Sequence, residues 1–192
     1  MSRRANPFST ALGTRAIALI VEHLPAAVAD PSAPNPREPL ALASTLAGAA
    51  FGMAGVTMTH SIAQALGGLL HIAHGEGVAI GTPINLRYNA EKCVDLYADL
   101  AHACRLGSGS PQEMASRFVD RVISMLQEVG LPDRVEVPTN VSGGGTLGQW
   151  AAKLARNAIE GTPVPIKLNP TKVDESTLTR LLEEILIDQS DS

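Results

Sequence analysis

The chain has 192 residues, 45% hydrophobic but only 3% aromatic, with a formal net charge of -4 and an isoelectric point near 5.7. That length suits one domain, and its core must be packed by Ala, Leu, Ile, Val and Gly, a composition that favours closely approaching helices. The acidic balance and scattered Lys and Arg leave no basic run to track phosphates, which argues against a nucleic-acid partner.

In chain order, Ser9 or Thr10 caps a predicted helix to about His23, with Pro25 beyond its last turn. The stretch 30–36 holds three prolines and reads as a loop. Helical spacing resumes near Arg37 or Glu38 and carries Leu40, Ser44, Leu46, Ala47, Ala50 and Phe51. Thr59 caps the next helix, through about Leu66, and Gly67-Gly68 weakens it. A further helix runs from Glu76 or Gly77 to Arg87, with Pro83 near its start or kinking it. Val94, Leu96, Tyr97, Leu100, Ala101 and Cys104 recur at three and four, so 93–106 is helical. Pro111 opens another helix carrying Phe118, Val122, Met125, Leu126 and Val129, and Gly130 stops it. Residues 131–146 read as irregular, 147–159 as helix, and 169–172 as a turn. Ser176 begins a last amphipathic helix with Leu178, Leu181, Leu182, Ile185 and Leu186. No strand alternation stands out, and the predicted architecture is all-α, a single helical domain over 1–192.

Cys93 and Cys104 are eleven residues apart in one helix, about 16 Å along its axis and too far for a disulfide. They read as reduced thiols of a cytoplasmic protein. Arg15, Glu22 and His23 interrupt what would otherwise be a signal-peptide core. The segment from Pro39 to Gly75 carries no Asp, Glu, Lys or Arg. It is long enough to span a bilayer, yet Ser44, Thr45, Thr57, Thr59, His60, Ser61, Gln64, His71 and His74 suit a buried helix of a soluble bundle. No membrane partner is expected.

Histidines in such a run are costly to bury without a partner, and a metal ion is one. His60 and Gln64 are four apart and His71 and His74 three apart, so each pair shares a helix face. On one straight helix His60 and His74 would lie about 21 Å apart, beyond the reach of a common ion. A metal site therefore requires the chain to fold back near Gly67-Gly68, where paired glycines make reversal inexpensive. Even then, two histidines fall short of the usual three or four protein ligands. Elsewhere the simple readings prevail. Ser61 does not face its neighbour His60 on a helix. Asp95, Asp99, Glu183 and Glu184 read as solvated faces, His23 and His102 as surface or cap positions, and Ser142-Gly143-Gly144-Gly145, with no strand before it, as a surface loop.

The run Ala43-Ser44-Thr45-Leu46-Ala47-Gly48-Ala49-Ala50-Phe51, the pair His60 and Gln64, Leu66-Gly67-Gly68, His71-Ile72-Ala73-His74-Gly75, Arg87-Tyr88-Asn89 and Asn169-Pro170 together resemble the iron-containing alcohol dehydrogenase family. The resemblance is to its C-terminal helical domain, over nearly the whole chain. It implies that His60 and His74 bind a catalytic divalent metal, iron or zinc, and that NAD or NADP exchanges a hydride with the substrate. Gln64 occupies the substrate-proximal position where the family usually has a histidine, and an amide cannot titrate. The family's other two ligands, an Asp and a His, and its nucleotide-binding domain precede a segment resembling residues 2–7. The expectation is a truncated or split member carrying half a metal site, with no catalytic residue assigned and no turnover alone. A homo-oligomer or a complementary N-terminal-domain chain is the expected partner. The alternatives are a non-catalytic association module and a metal-binding remnant.

Overall fold

The structure, a computed structural model, describes residues 2–139 and 145–189. In chain order its helices are α1 (Pro7–Ala29), α2 (Arg37–Ala54), α3 (Met58–Leu70), α4 (His74–Asn89), α5 (Val94–Ala103), α6 (Pro111–Glu128), α7 (Leu147–Gly161), α8 (Pro163–Leu168) and α9 (Glu175–Glu183). The expected all-α class holds, with one addition: β1 (Val135–Val137) and β2 (Leu186–Asp188) form a short parallel pair. The chain divides into two compact units, 1–56 with 86–130 and 57–85 with 131–192.

In the first unit α1 starts earlier than the Ser9 or Thr10 cap predicted. Asn6 accepts from the Phe8 and Ser9 N–H groups, Ser9 Oγ accepts from the Asn6 N–H, and Pro7 fills the first helical position. The helix also runs through Pro25 to Ala29. By length and composition α1 would suffice to cross a bilayer; here it packs on α2, α5 and α6. Gly13 meets Ala50 at that contact, where a Cβ would sit 3.8 Å from the alanine methyl. The main core of this unit lies between α5 and α6, where Tyr97 and Phe118 stack at 5.5 Å among Cys93, Leu100, Met114 and Val122. Burial pushes the Cys93 and Cys104 thiols up, consistent with inert, reduced groups. Ser110 and Glu113 cap α6 reciprocally.

In the second unit α7 lies at the centre, packed on α3 and α9. Ala151, Leu154, Ala155 and Ala158 are fully buried along one face of it. Parallel strands need a crossover connection, and α7, α8 and α9 supply it between β1 and β2. α9 begins at Glu175, one residue before the Ser176 start expected, and Asp174 caps it. Its carboxylate accepts from the Thr177 N–H and the Ser176 hydroxyl, which hold its pKa at about 2.

Two outcomes follow from this packing. Leu154→Ala should lower unfolding free energy by about 2–5 kcal/mol in a urea titration, because its site is fully enclosed. Asp174 has a depressed folded pKa, so its stabilisation is complete above its unfolded value of about 3.9 and is lost as pH falls through about 2. Asp174→Asn should flatten acid unfolding over that window.

Candidate metal centre

The histidines belong to α3, α4 and the turn between them, all in the second unit. Thr57 stands at the N-cap of α3 in extended conformation, and its carbonyl accepts from the His60 N–H. Met58, Thr59, Ser61, Ile62, Ala63, Ala65 and Leu66 are buried, which leaves half-buried His60 and exposed Gln64 one turn apart on the outward stripe.

The reversal required by a metal site occurs, but not where expected. α3 runs straight through Gly67-Gly68 and stops at His71, whose φ of 58° and ψ of 25° place it in the left-handed region. Its N–H returns to the Gly67 carbonyl, as in a helix C-cap. Gly67 matters for a different reason: a Cβ there would press within 3.3 Å of the Ile72 carbonyl as the chain folds back. After Ile72 and Ala73 the chain enters α4 at His74, and Gly77 N–H bonds to the Ala73 carbonyl. Pro83 lies well inside α4, neither near its start nor at its end.

The consequence is that His60 and His74 come together, their ring centroids 5.5 Å apart and their planes tilted by 59°. An imidazole centroid stands about 3.2 Å from an ion bound at 2.0–2.1 Å, so two rings sharing a tetrahedral ion lie roughly 5.2 Å apart. The observed spacing fits that requirement. Burial, and then the neighbouring His74, lowers the His60 pKa. That favours the neutral imidazole, the form with a lone pair to donate. Among the described residues no cluster of three or more His, Cys, Asp or Glu surrounds a common point. His71 is exposed at the turn, and Gln64 is exposed beside His60.

Ser61 is fully buried, and its hydroxyl donates to the Thr162 carbonyl at 2.8 Å, tying the His60 turn of α3 to the junction of α7 and α8. The sequence carries no sign of this bond, because its partner is 101 residues away. Asp95, Asp99, Glu183, Glu184 and His102 are exposed, as expected. Residues 142–144 of the glycine-rich stretch lie outside the described residues.

A family model described as the Fe-containing alcohol dehydrogenase family, C-terminal, matches residues 1–186. The chain belongs to the iron-containing alcohol dehydrogenase family. It is 29% identical to 1-propanol dehydrogenase PduQ of Citrobacter freundii over 190 residues, 97% of this chain and 50% of that protein. It is 38% identical to long-chain-alcohol dehydrogenase 1 of Geobacillus thermodenitrificans, over 69% of this chain and 34% of that protein. Among solved structures, a 1,3-propanediol oxidoreductase superposes with a TM-score of 0.81 at 28% identity, covering 96% of this chain and 47% of the other. This family member thus spans about half the length of the relatives it matches, and the matched part is their C-terminal half.

Ser61→Ala would leave the Thr162 carbonyl without its donor. The expected cost is about 1–3 kcal/mol of unfolding free energy by urea titration, and an unchanged midpoint would show that the bond carries no weight.

Proposed function

We propose that this chain supplies the helical, metal-holding half of an NAD- or NADP-dependent alcohol or aldehyde oxidoreductase, with His60 and His74 as two ligands of a divalent ion, iron or zinc. The observation that carries the reading is the 5.5 Å approach of two imidazoles from α3 and α4, in a member of this family. A bound ion of this kind acts as a Lewis acid that stabilises charge developing on an alcohol or carbonyl oxygen.

The chain's own groups then have distinct tasks. His60, partly buried and with its pKa lowered toward the neutral form, and His74, exposed at the start of α4, bring two imidazole rings within 5.5 Å of each other. Gln64, one turn along α3, can donate or accept a hydrogen bond to a substrate oxygen and so orient it, but its amide cannot take up a proton. Two ligands are fewer than such a site needs, so further donors and the dinucleotide surface come from outside the described residues. A complementary chain or domain is the partner this implies, and a cytoplasmic location suits its cofactor and its thiols.

One observation favours a second reading, association without catalysis. In the first unit the large apolar side chains Phe8, Leu42 and Phe51 expose 77, 49 and 53% of their surface, and a partner covering them would remove that apolar area from water.

Zinc titration calorimetry on the 192-residue chain, paired with an NAD(P)H-linked aldehyde reduction assay, tests the proposal. Binding should weaken about tenfold or more in His60→Ala and His74→Ala, and the metal-loaded chain should not turn over by itself. Robust turnover by this chain alone would show that nothing further is required. Wild-type zinc affinity in both variants would remove the metal reading.

A further inference from the structure

Apolar burial is non-directional, so a helix seated by burial alone is held at its depth more firmly than in its rotation about its own axis. α3 seats Met58, Ile62, Ala63, Ala65 and Leu66 in this way, against α7 and α8. Ser61 adds the directional restraint. Its hydroxyl, fully buried, donates to the Thr162 carbonyl at 2.8 Å. Among the described residues this is the one side-chain hydrogen bond that joins α3 to another element. The acceptor is itself held. Thr162 closes α7 and opens α8, and its hydroxyl donates to the carbonyl of Ala158, one turn back, at 3.1 Å. Ala158 is fully buried, so the restraint on Ser61 reaches into the centre of the unit.

His60 is the residue before Ser61, and any rotation of α3 carries both. A side chain at the helix surface stands about 5–6 Å from the axis, so a rotation of roughly 10° would move the His60 ring by about 1 Å. Metal–nitrogen bonds tolerate only about ±0.2 Å around their 2.0–2.1 Å length. A rocking of α3 too small to break its apolar contacts is therefore enough to spoil the pairing of His60 with His74, whose ring centroids lie 5.5 Å apart.

We propose that Ser61 is a positioning residue for the metal pair: its bond to Thr162 fixes the rotation of α3 and so the place of His60 opposite His74. The inference rests on the metal reading of those histidines. It goes beyond it by making the site's affinity depend on the junction of α7 and α8, which touches neither ion nor substrate.

The test is zinc titration calorimetry on the full chain, at a temperature where a thermal melt shows each variant folded. Ser61→Ala removes the donor and should bind zinc about tenfold more weakly than wild type. Ser61→Cys keeps nearly the same shape but offers only a weak S–H donor, so it should lose affinity to a similar extent. It also carries the test if Ser61→Ala does not fold. Leu178→Ala is the control for plain destabilisation, because its side chain is fully enclosed on α9, which packs on α7. It should melt earlier yet bind zinc like the wild type. Wild-type affinity in either folded Ser61 variant would overturn the proposal, as would an equal loss in Leu178→Ala. If His60→Ala also binds like wild type, the metal reading itself has failed, whereas loss in His60→Ala with none in the Ser61 variants refutes only the role of Ser61.

Discussion

The site depends on one local constraint, the reversal of the chain between Leu70 and His74. Without it, two histidines fourteen residues apart would face an ion only one at a time. The reversal uses three devices in succession. Gly67 clears the Ile72 carbonyl, His71 adopts a left-handed conformation to close α3, and α4 then lies back with Gly77 against Ala63. A left-handed backbone is unfavourable for a residue with a Cβ. At His71 it is held by the N–H bond to Gly67, so part of the stability of the unit is committed to keeping the histidines together.

The reversal is anchored by what lies behind it. α3 buries seven residues of its first nine, and the face they make packs on α7 and α8. Burial at roughly 25 cal/mol per Å² makes this face the main reason α3 keeps its orientation. The Ser61 bond to Thr162 adds a directional restraint that apolar contacts lack. Because α7, α8 and α9 form the crossover between β1 and β2, the parallel strand pair closes the same unit that carries the histidines. A site on two helices held in this way is better fixed than one on loops, which suits a metal with strict bond lengths.

Much of this was legible in the residues, and the failures have physical causes. The uncharged run around His60 and His74 pointed to buried helices, which holds for α3 but not for α2, where only Ala43 and Ala54 are buried; the family resemblance singled out His60 and His74 as candidate ligands. Spacing alone placed the break at Gly67-Gly68, since paired glycines are the usual signal for one. The helix tolerated them because its buried face outweighs their local cost, and the true stop fell at His71, a residue type that marks no turn on its own. Pro25 was read as a boundary for the same reason and proved to lie inside α1, and Pro83, read as near the start of its helix or kinking it, lies well inside α4. The strands escaped notice at three residues each, although Val135-Glu136-Val137 does alternate. The contacts at Gly77 and Ser61 were beyond sequence reading, because each is defined by a partner on another element.

Whether His60 and His74 share one ion is decided by X-ray absorption at the zinc K-edge, on the chain loaded with one equivalent of zinc, which counts bound imidazoles. A shared ion gives two histidine ligands at about 2.0–2.1 Å in the wild type and no more than one in His74→Ala. An ion with no imidazole in its shell, or a shell unchanged by His74→Ala, would contradict it.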